Sequence, residues 1–307
     1  MKLSINVGSL QVLFDSEKIA RLCHEAGFDG ADYGLDCMCN AESPFMGENY
    51  VEYTKKVRKI FDDAGLPILQ AHAPYFARAR EYENEEFYTT RVLPTYKRAV
   101  EVAGLLGAKT VVYHPYHYAR YSGNEERMFR ENMEFFKQLI PIAEEYDIQI
   151  AIENMYWGHP VKAGYVIDVC GRSEEFIRYI DTLNSDRIVG CVDIGHVALP
   201  LVAEEESWDM IRALGGNRVK ALHVHDNCYK TDAHGLPYTG DINWNEVTKA
   251  LGEIDYQGDM TYEVNGFIRK NMDDEVVKLA LKYMADIGKH LCKLVDQNRP
   301  NKNCSAE

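Results

Sequence analysis

Short apolar runs alternate along this chain with longer segments in which apolar residues recur at helical spacing. Leu3 to Val7 predicts a buried strand, and in Ser16–Ala26 the apolar positions fall three or four residues apart, as on one face of an amphipathic helix. This strand-then-helix order repeats to the end of the chain. The predicted helices cover Ser16–Ala26, Asn49–Ala64, Glu85–Leu106, Asn124–Tyr146, Ser173–Leu183, Ser207–Leu214, Trp244–Ile254 and Asp273–Val295. The pattern therefore predicts eight strand–helix units.

The joints between these units are short. Gly27, Gly65 and Gly107 each stand where a predicted helix ends and the next strand starts, which is typical of C-cap glycines. Eight such units predict a closed (β/α)8 barrel, the TIM-barrel architecture, as a single α/β domain over residues 1–296, followed by a polar tail over residues 297–307. A doubly wound open sheet is the alternative, but it normally carries a Gly-rich phosphate turn after the first strand, and Gly8-Ser9-Leu10 is not one.

Six of the predicted strands end on a residue that can bind a metal ion. These strand-end residues are His72, His114, Glu153, Asp193, His223 and Glu263. Since α/β barrels build their active sites at the C-terminal ends of the strands, side chains that lie far apart in the sequence would all point to one place. The sequence therefore predicts a site at the mouth of the barrel.

Four of these residues, on the last four strands, form the sharpest group: Glu153, Asp193, His223 and Glu263. Three carboxylates and one imidazole suit Mn²⁺, Mg²⁺, Co²⁺ or Zn²⁺. Buried charged groups are costly unless they are paired or bind a metal. Any one of the four could be an ordinary capping or ion-paired residue, but the four together predict a divalent metal site.

A second set of side chains that could bind a metal surrounds the first. It comprises His72, His114, His196, His225, Asp232 and His234. These residues are predicted either to bind a second metal or to contact the substrate. His223 and His225 face the same side of their strand if β geometry continues, so both are candidates for the nitrogen ligand.

The segments around these residues resemble the xylose isomerase-like TIM-barrel superfamily, the group of sugar phosphate isomerases and epimerases that also includes endonuclease IV. The matching segments are Ala71-His72-Ala73-Pro74, Tyr113-His114-Pro115, Ile152-Glu153-Asn154, Asp193-Ile194-Gly195-His196, His223-Val224-His225-Asp226 and Tyr262-Glu263. The resemblance extends over nearly the whole chain. It is specific to the superfamily but not to one enzyme.

The resemblance implies roles for the two sets. In the ketose 3-epimerases of this group, the residues that match Glu153, Asp193, His223 and Glu263 hold one divalent metal, and the two Glu also act as the acid/base pair. In the endonuclease IV branch, the counterparts of His72, His114, His196, Asp232 and His234 complete a three-zinc site. The family pattern of His, apolar, polar, Asp favours His223 as the ligand, with His225 left open.

The residues and the resemblance together favour a metal-dependent isomerase or epimerase of a sugar or sugar phosphate. Such an enzyme abstracts a proton next to a carbonyl and passes through an enediolate, with Glu153 and Glu263 as the acid/base pair. Tyr116 and Trp157 are expected to stack on the sugar, although loop packing would explain them nearly as well. A lyase or dehydratase acting on an oxidised sugar would begin with the same proton abstraction. A non-catalytic barrel would show eroded ligand positions, and none is visible.

Composition bears on a further alternative, an endonuclease IV-like zinc phosphodiesterase. The chain has 48 Asp and Glu against 34 Lys and Arg, a formal net charge of −14. DNA binding needs Lys or Arg along the walls of the binding groove. The predicted rim carries only scattered basic residues: Arg78, Arg80, Arg120, Lys162, Arg172 and Lys230. The charge balance therefore argues against a nucleic acid partner.

The remaining features indicate an ordinary globular protein. None of the eight cysteines forms a C-x-x-C pair, so reduced thiols are expected. The first residues enter a strand directly without a signal-type segment, and no apolar run is long enough to span a bilayer. We therefore expect a cytoplasmic protein with no membrane partner. Barrels of this size often dimerise, so a homo-oligomer stays open.

Overall fold

The computed structural model describes residues 1–76, 84–116, 120–159, 164–199 and 205–300, and it confirms the (β/α)8 barrel. Its parallel strands are β1 Leu3–Asn6, β2 Gly30–Gly34, β3 Ile68–His72, β4 Thr110–Tyr113, β5 Gln149–Glu153, β6 Ile188–Asp193, β7 Val219–His223 and β8 Met260–Tyr262. Each strand pairs with the next in chain order, and β8 returns to β1 with Leu3 opposite Met260. The barrel closes between β7 and β8 through Val224, whose N–H donates to the Thr261 carbonyl (2.9 Å) and whose carbonyl accepts from the Glu263 N–H (3.1 Å).

Long amphipathic helices surround the barrel in the described part of the chain. They are α1 Ser16–Ala26, α2 Tyr50–Asp63, α3 Leu93–Leu106, α4 Glu125–Glu145, α5 Ser173–Leu183, α6 Ser207–Arg218, α7 Trp244–Glu253 and α8 Asp274–Gln297, and short helical turns cover Gly8–Gln11, Asp36–Cys39, Pro44–Met46 and Ile194–Val197. The capping residues of α1 explain where this helix begins and ends. Asp15 caps it by accepting from the Lys18 N–H (2.8 Å), and Gly27 ends it with a φ of 107°. The helices thus lie close to their predicted positions.

Two segments differ from the predicted elements. The predicted third helix is interrupted at Tyr88–Val92 by a π-helical turn, directly before Pro94, which has no N–H for a regular helical bond. The segment expected to be a plain loop after β5 contains a hairpin in which Tyr156–Gly158 pairs antiparallel with Tyr165–Ile167. Strands of three residues are too short for the period-2 pattern to separate them from a loop.

The barrel interior has an apolar half and a polar half. The apolar side chains come from β4 to β7 and are Val112, Ala151, Val189, Cys191 and Ala221. The polar side chains come from β8, β1, β2 and β3 and are Thr261, Ser4, Asp32 and Gln70, all buried. Gln70 and Thr261 stand two residues before the site residues His72 and Glu263, so they lie on the same face of their strands as those residues. The layer of side chains below the barrel mouth is therefore polar on the side of β8, β1, β2 and β3.

The C-terminal helix fixes the end of the described chain. α8 ends at Gln297, and Arg299 donates to the carboxylates of Asp296 (3.0 Å) and Asp255 (2.5 Å). Most of the predicted polar tail, from residue 301 onward, lies outside the described residues. No helix in the described ranges combines the length and the apolar composition that crossing a membrane requires.

Candidate metal centre and active site

The six predicted strand-end residues meet at one end of the barrel, as its topology requires. A cavity of about 760 Å³ opens there. Its wall contains these predicted site residues: His72, His114, Glu153, Trp157, His196, Asp232, His234 and Glu263. Asp193, His223 and His225 are completely buried and lie outside the described cavity lining. The candidate site therefore has an accessible layer and a fully buried layer.

The buried ring of His223 is the centre of the first group. Its Nδ1 lies 3.2 Å from Oε1 of Glu153, 3.4 Å from Oε2 of Glu263 and 3.9 Å from Oδ2 of Asp193. One ligand atom from each of these four residues lies within 4.8 Å of the others. This geometry favours His223 over His225 as the nitrogen of the first group.

His225 instead belongs to the second group, together with His196, Asp232 and His234. Its Nε2 lies 3.0 Å from Oδ1 of Asp193, and its ring stacks on His234 with centroids 4.0 Å apart. Nε2 of His234 lies 2.9 Å from Oδ2 of Asp232. The second group thus touches the first through Asp193.

His72 and His114 form a third group with Glu153. Nε2 of His114 lies 3.2 Å, and Nε2 of His72 3.6 Å, from Oε2 of Glu153. Glu153 therefore belongs to two groups, one through each carboxylate oxygen. All the predicted ligating residues are brought together by the fold.

Charges in the first and third groups compensate each other. Burial alone would raise the pKa of Glu153, but the charges of His223 and His114 and their hydrogen bonds hold it well below its usual range. Burial would lower the pKa of His72, but the hydrogen bond and the charge of Glu153 raise it to about 9. Buried carboxylates are thus balanced by protonated imidazoles.

The second group shows the same compensation. Burial opposes protonation of His234, but the hydrogen bond to Asp232 and the charge of Glu263 raise the pKa of His234 to about 10. Burial would raise the pKa of Asp232, whereas its hydrogen bond with His234 lowers it. An imidazole binds a metal only in its neutral form, so metal binding would release these protons.

The donor chemistry fits a divalent cation. The first group offers three carboxylates and one imidazole, a mixture that suits the first-row divalent metals and Mg²⁺. In the second group, Oδ1 of Asp232 is buried and accepts no hydrogen bond from any described residue. Such a buried oxygen is costly unless a cation or another partner satisfies it. These residues could therefore hold a metal.

Asn154, which the sequence offered only as part of a matching segment, and Tyr156, an aromatic residue in the loop after β5, also contact the candidate ligands. The side-chain oxygen of Asn154 accepts from the Asp193 N–H (2.8 Å), and its NH₂ donates to the Asp193 carbonyl (3.0 Å). The hydroxyl of Tyr156 donates to Oδ2 of Asp232 (2.7 Å). The position of Asn154 directly after Glu153 was the available signal.

Gly195 lets the two groups approach each other. A Cβ atom at this position would lie 2.0 Å from Cε1 of His225. The residue sits in the helical turn directly after Asp193, so any side chain there would push the His225 ring away from the Asp193 carboxylate. Close packing at this point therefore requires glycine.

The two aromatic residues predicted to contact substrate are placed differently. Trp157 lines the cavity with 40% of its surface exposed. Tyr116 is buried, stacks on Phe135 with centroids 4.4 Å apart, and is absent from the described cavity lining. The described contacts of Tyr116 are thus packing contacts, and its role in substrate binding stays a prediction. Of the basic rim residues, Arg78, Arg80 and Lys162 lie outside the described residues.

Comparison with other proteins finds relatives of this chain in sequence and in structure. The chain matches the family model of xylose isomerase-like TIM barrels over residues 20–287. An uncharacterized protein from Sinorhizobium fredii is 25% identical over 270 residues, which cover 79% of this chain and 78% of the relative. A D-tagatose 3-epimerase-like protein has a similar structure, with a TM-score of 0.71 and 23% identity over 97% of this chain and 99% of that chain. The structure of the IOLI protein with a zinc atom is also similar, with a TM-score of 0.69 and 19% identity over 98% of this chain and 100% of that chain. This chain belongs to the xylose isomerase-like TIM-barrel family.

Proposed function

We propose that this protein is a divalent-metal-dependent isomerase or epimerase of a sugar. The observation that carries the proposal is the convergence of Glu153, Asp193, His223 and Glu263 at the base of a cavity of about 760 Å³. A cavity of this size suits a small molecule rather than a polymer. The likeness to a D-tagatose 3-epimerase-like protein supports the same class of substrate.

The four residues of the first group would hold the cation. A divalent cation bound there supplies Lewis acidity, which stabilises the negative charge of an enediolate by several kcal/mol. The chain itself supplies rigidity. Asn154 hydrogen-bonds both the N–H and the carbonyl of Asp193, and Nε2 of His225 lies 3.0 Å from Oδ1 of the Asp193 carboxylate.

Glu153 and Glu263 would exchange the proton. They stand at the ends of β5 and β8, three strands apart in the barrel, and both reach the cavity. Glu153 stays anionic because its pKa is held low, so one of its oxygens can accept a proton from the carbon next to the carbonyl. When Glu263 carries a proton, it can give it to the opposite face, which inverts that carbon and leaves Glu153 protonated and Glu263 anionic. Positioned proton transfer of this kind contributes roughly 10²–10⁴-fold in rate.

The cavity wall favours an uncharged sugar. Its described lining contains Tyr75, Tyr156 and Trp157 but neither lysine nor arginine. Aromatic rings stack on the C–H faces of sugars, whereas a phosphate group would call for basic side chains. A sugar phosphate stays open as a substrate because Arg78, Arg80 and Lys162 lie outside the described residues.

Solvent exchange tests this proposal directly. The purified protein should contain near-stoichiometric divalent metal by elemental analysis. With D-tagatose or another ketose in D₂O, it should incorporate deuterium at the carbon next to the carbonyl. Glu263→Gln should lose this exchange even when Mn²⁺ is added to saturation, and Glu275→Gln, an exposed carboxylate on α8, is the matched control. Product mass distinguishes epimerisation from lyase or dehydratase chemistry, which eliminates part of the substrate.

Two outcomes would overturn the proposal. If the protein held no metal and Mn²⁺, Co²⁺ or Zn²⁺ restored none, the metal-dependent mechanism would fail. If Glu263→Gln exchanged deuterium as fast as the control, the acid/base assignment would fail although the metal site could stand.

The overlap of the candidate ligand groups favours a second candidate, an endonuclease IV-like zinc phosphodiesterase. Glu153 joins two of these groups, and clustered metal ions stabilise in-line displacement at phosphorus. The net charge of −14 argues against it, since nucleic acid binding depends on basic surfaces. Two or three bound ions together with cleavage of abasic-site DNA would make this candidate the first choice.

A further inference from the structure

His223 presents its two ring nitrogens to two separate sets of carboxylates. Nδ1 faces Glu153, Glu263 and Asp193, the residues of the candidate metal centre. Nε2 points toward the barrel interior, where Oδ2 of Asp32 lies 3.6 Å away. Both His223 and Asp32 are completely buried. The ring thus connects the metal centre to a carboxylate that does not line the described cavity wall.

The polar half of the barrel interior holds Asp32 in place. Its Oδ2 accepts from the side-chain NH₂ of Asn6 (2.8 Å), and Asn6 in turn accepts from the Gly8 N–H (2.9 Å). On the neighbouring strands, Ser4 and Gln70 also bury polar atoms that make no hydrogen bond within the described residues. The surroundings of Asp32 are therefore polar although they are closed to solvent.

The charge of Asp32 requires an explanation. A carboxylate that is completely buried costs several kcal/mol unless it is paired or hydrogen-bonded. Asn6 donates to Oδ2, while Oδ1 of Asp32 has no hydrogen-bond partner among the described residues. A neutral amide donor compensates a charge only in part. Among the described residues, the His223 ring lies at ion-pair distance from Asp32 and can supply the rest.

We propose that Asp32 is a positioning residue that fixes the tautomer and the orientation of His223. With Nε2–H directed at Asp32, Nδ1 keeps its lone pair for the metal centre. Imidazole ligands generally direct their second N–H to a carboxylate or a carbonyl, and loss of that partner typically weakens metal binding 10–100-fold. This inference rests on the metal site of the proposed function.

A purely structural role is the competing explanation. The Asn6–Asp32 hydrogen bond joins β1 to β2, so its loss could destabilise the barrel without changing the metal centre. A structural role predicts a lower melting temperature with unchanged metal affinity. A positioning role predicts weaker metal binding by protein that is still folded.

Metal titration of the full chain separates the two roles. The dissociation constant for Mn²⁺ is measured by calorimetry on metal-stripped wild type, Asp32→Asn and Ser4→Ala, and the visible spectrum of bound Co²⁺ reports the ligand geometry. We expect Asp32→Asn to bind Mn²⁺ about 10–100-fold more weakly and to shift the Co²⁺ spectrum. Ser4→Ala alters the same polar interior without touching a candidate ligand, so its affinity should match wild type. Asp32→Glu should recover part of the loss because it keeps the carboxylate.

Nitrogen NMR of the wild type covers the case in which Asp32→Asn does not fold. In the Zn²⁺-loaded protein, the His223 resonances, identified by their absence in His223→Gln, should show a protonated Nε2 and a metal-bound Nδ1. The reverse assignment would overturn the inference, as would an Asp32→Asn variant that binds Mn²⁺ as tightly as Ser4→Ala. If the wild type bound no metal, both the proposed function and this inference would fail. An Asp32→Asn variant with unchanged affinity would overturn this inference alone.

Discussion

Replacing Glu153 by glutamine removes the anion that three buried histidines and the half-buried His114 share. Its oxygens lie within ion-pair distance of Nε2 of His114 (3.2 Å), Nδ1 of His223 (3.2 Å), Nδ1 of His196 (3.5 Å) and Nε2 of His72 (3.6 Å). The rise of the His72 pKa from 6.5 to about 9 corresponds to about 3 kcal/mol, and burial limits solvent screening. Breaking a buried ion pair typically costs 3–5 kcal/mol. We therefore expect Glu153→Gln to lower the free energy of unfolding of the metal-stripped protein by roughly 3 kcal/mol or more.

The direction of the pKa shifts sets the pH range of this loss. Because the folded pKa of His72 is raised, its stabilisation is complete below pH 6.5 and disappears as the pH rises through about 9. Because the folded pKa of Glu153 is lowered, its stabilisation is complete above pH 4.5 and disappears as the pH falls through the folded value. The difference between wild type and Glu153→Gln should therefore be largest between pH 4.5 and 6.5 and shrink toward high pH.

Urea unfolding of the metal-stripped proteins at pH 6 and pH 9 measures this difference. Glu275→Gln serves as a control because its carboxylate is exposed on α8 and should cost little at either pH. A loss below about 1 kcal/mol at pH 6, or an equal loss at both pH values, would refute the idea that Glu153 is the shared counter-charge of the site.

Two further predictions concern the packing and the protons of the site. Gly195→Ala should lower the melting temperature and the metal content, because its Cβ would lie 2.0 Å from His225 and overpacking of this kind costs about 1–3 kcal/mol. Gly47→Ala, whose Cβ would lie 3.7 Å from its nearest neighbour, the Pro44 carbonyl oxygen, should change neither, and equal behaviour of the two variants would contradict the steric argument. Mn²⁺ binding at pH 7 should release about one proton, since His223 must lose the proton that its raised pKa retains, and calorimetry in buffers of different ionisation enthalpy measures that number. A binding enthalpy that is independent of the buffer would count against His223 as a ligand.

The sequence predicts the barrel and its ligand set for one physical reason. Parallel strands in a barrel all end at the same face, so apolar runs that end on Glu153, Asp193 and His223 identify a common site without any knowledge of distances. The resemblance already favours His223 over His225, and the structure adds a physical reason for that preference. Both residues face one side of the strand, and only the position of each ring relative to Asp193 separates their groups.

Other features depend on tertiary packing and could not be predicted. Tyr116 stands in a strand-to-helix loop, where an aromatic residue can face either the cavity or the core, and only the structure shows that it stacks on Phe135. The hairpin that contains Trp157 has strands of three residues, which carry no usable periodicity. Asp32 could have been recognised from the sequence. Burying a charged side chain inside an otherwise apolar strand costs free energy unless a polar partner compensates it.

The number of bound ions would set the charge of the site, and this charge links the metal content to the class of substrate. The three groups contain four carboxylates, those of Glu153, Asp193, Asp232 and Glu263, which with neutral histidine ligands carry a charge of −4. One divalent cation in the first group would leave His72 and His234 protonated, so the site would be close to neutral and would admit an uncharged sugar. Three would give +2, which attracts a phosphodiester. Because Glu153 belongs to two groups, filling one group alters the ligand and the charge available to the other. The choice between sugar and phosphodiester chemistry therefore depends on how many cations this shared carboxylate supports.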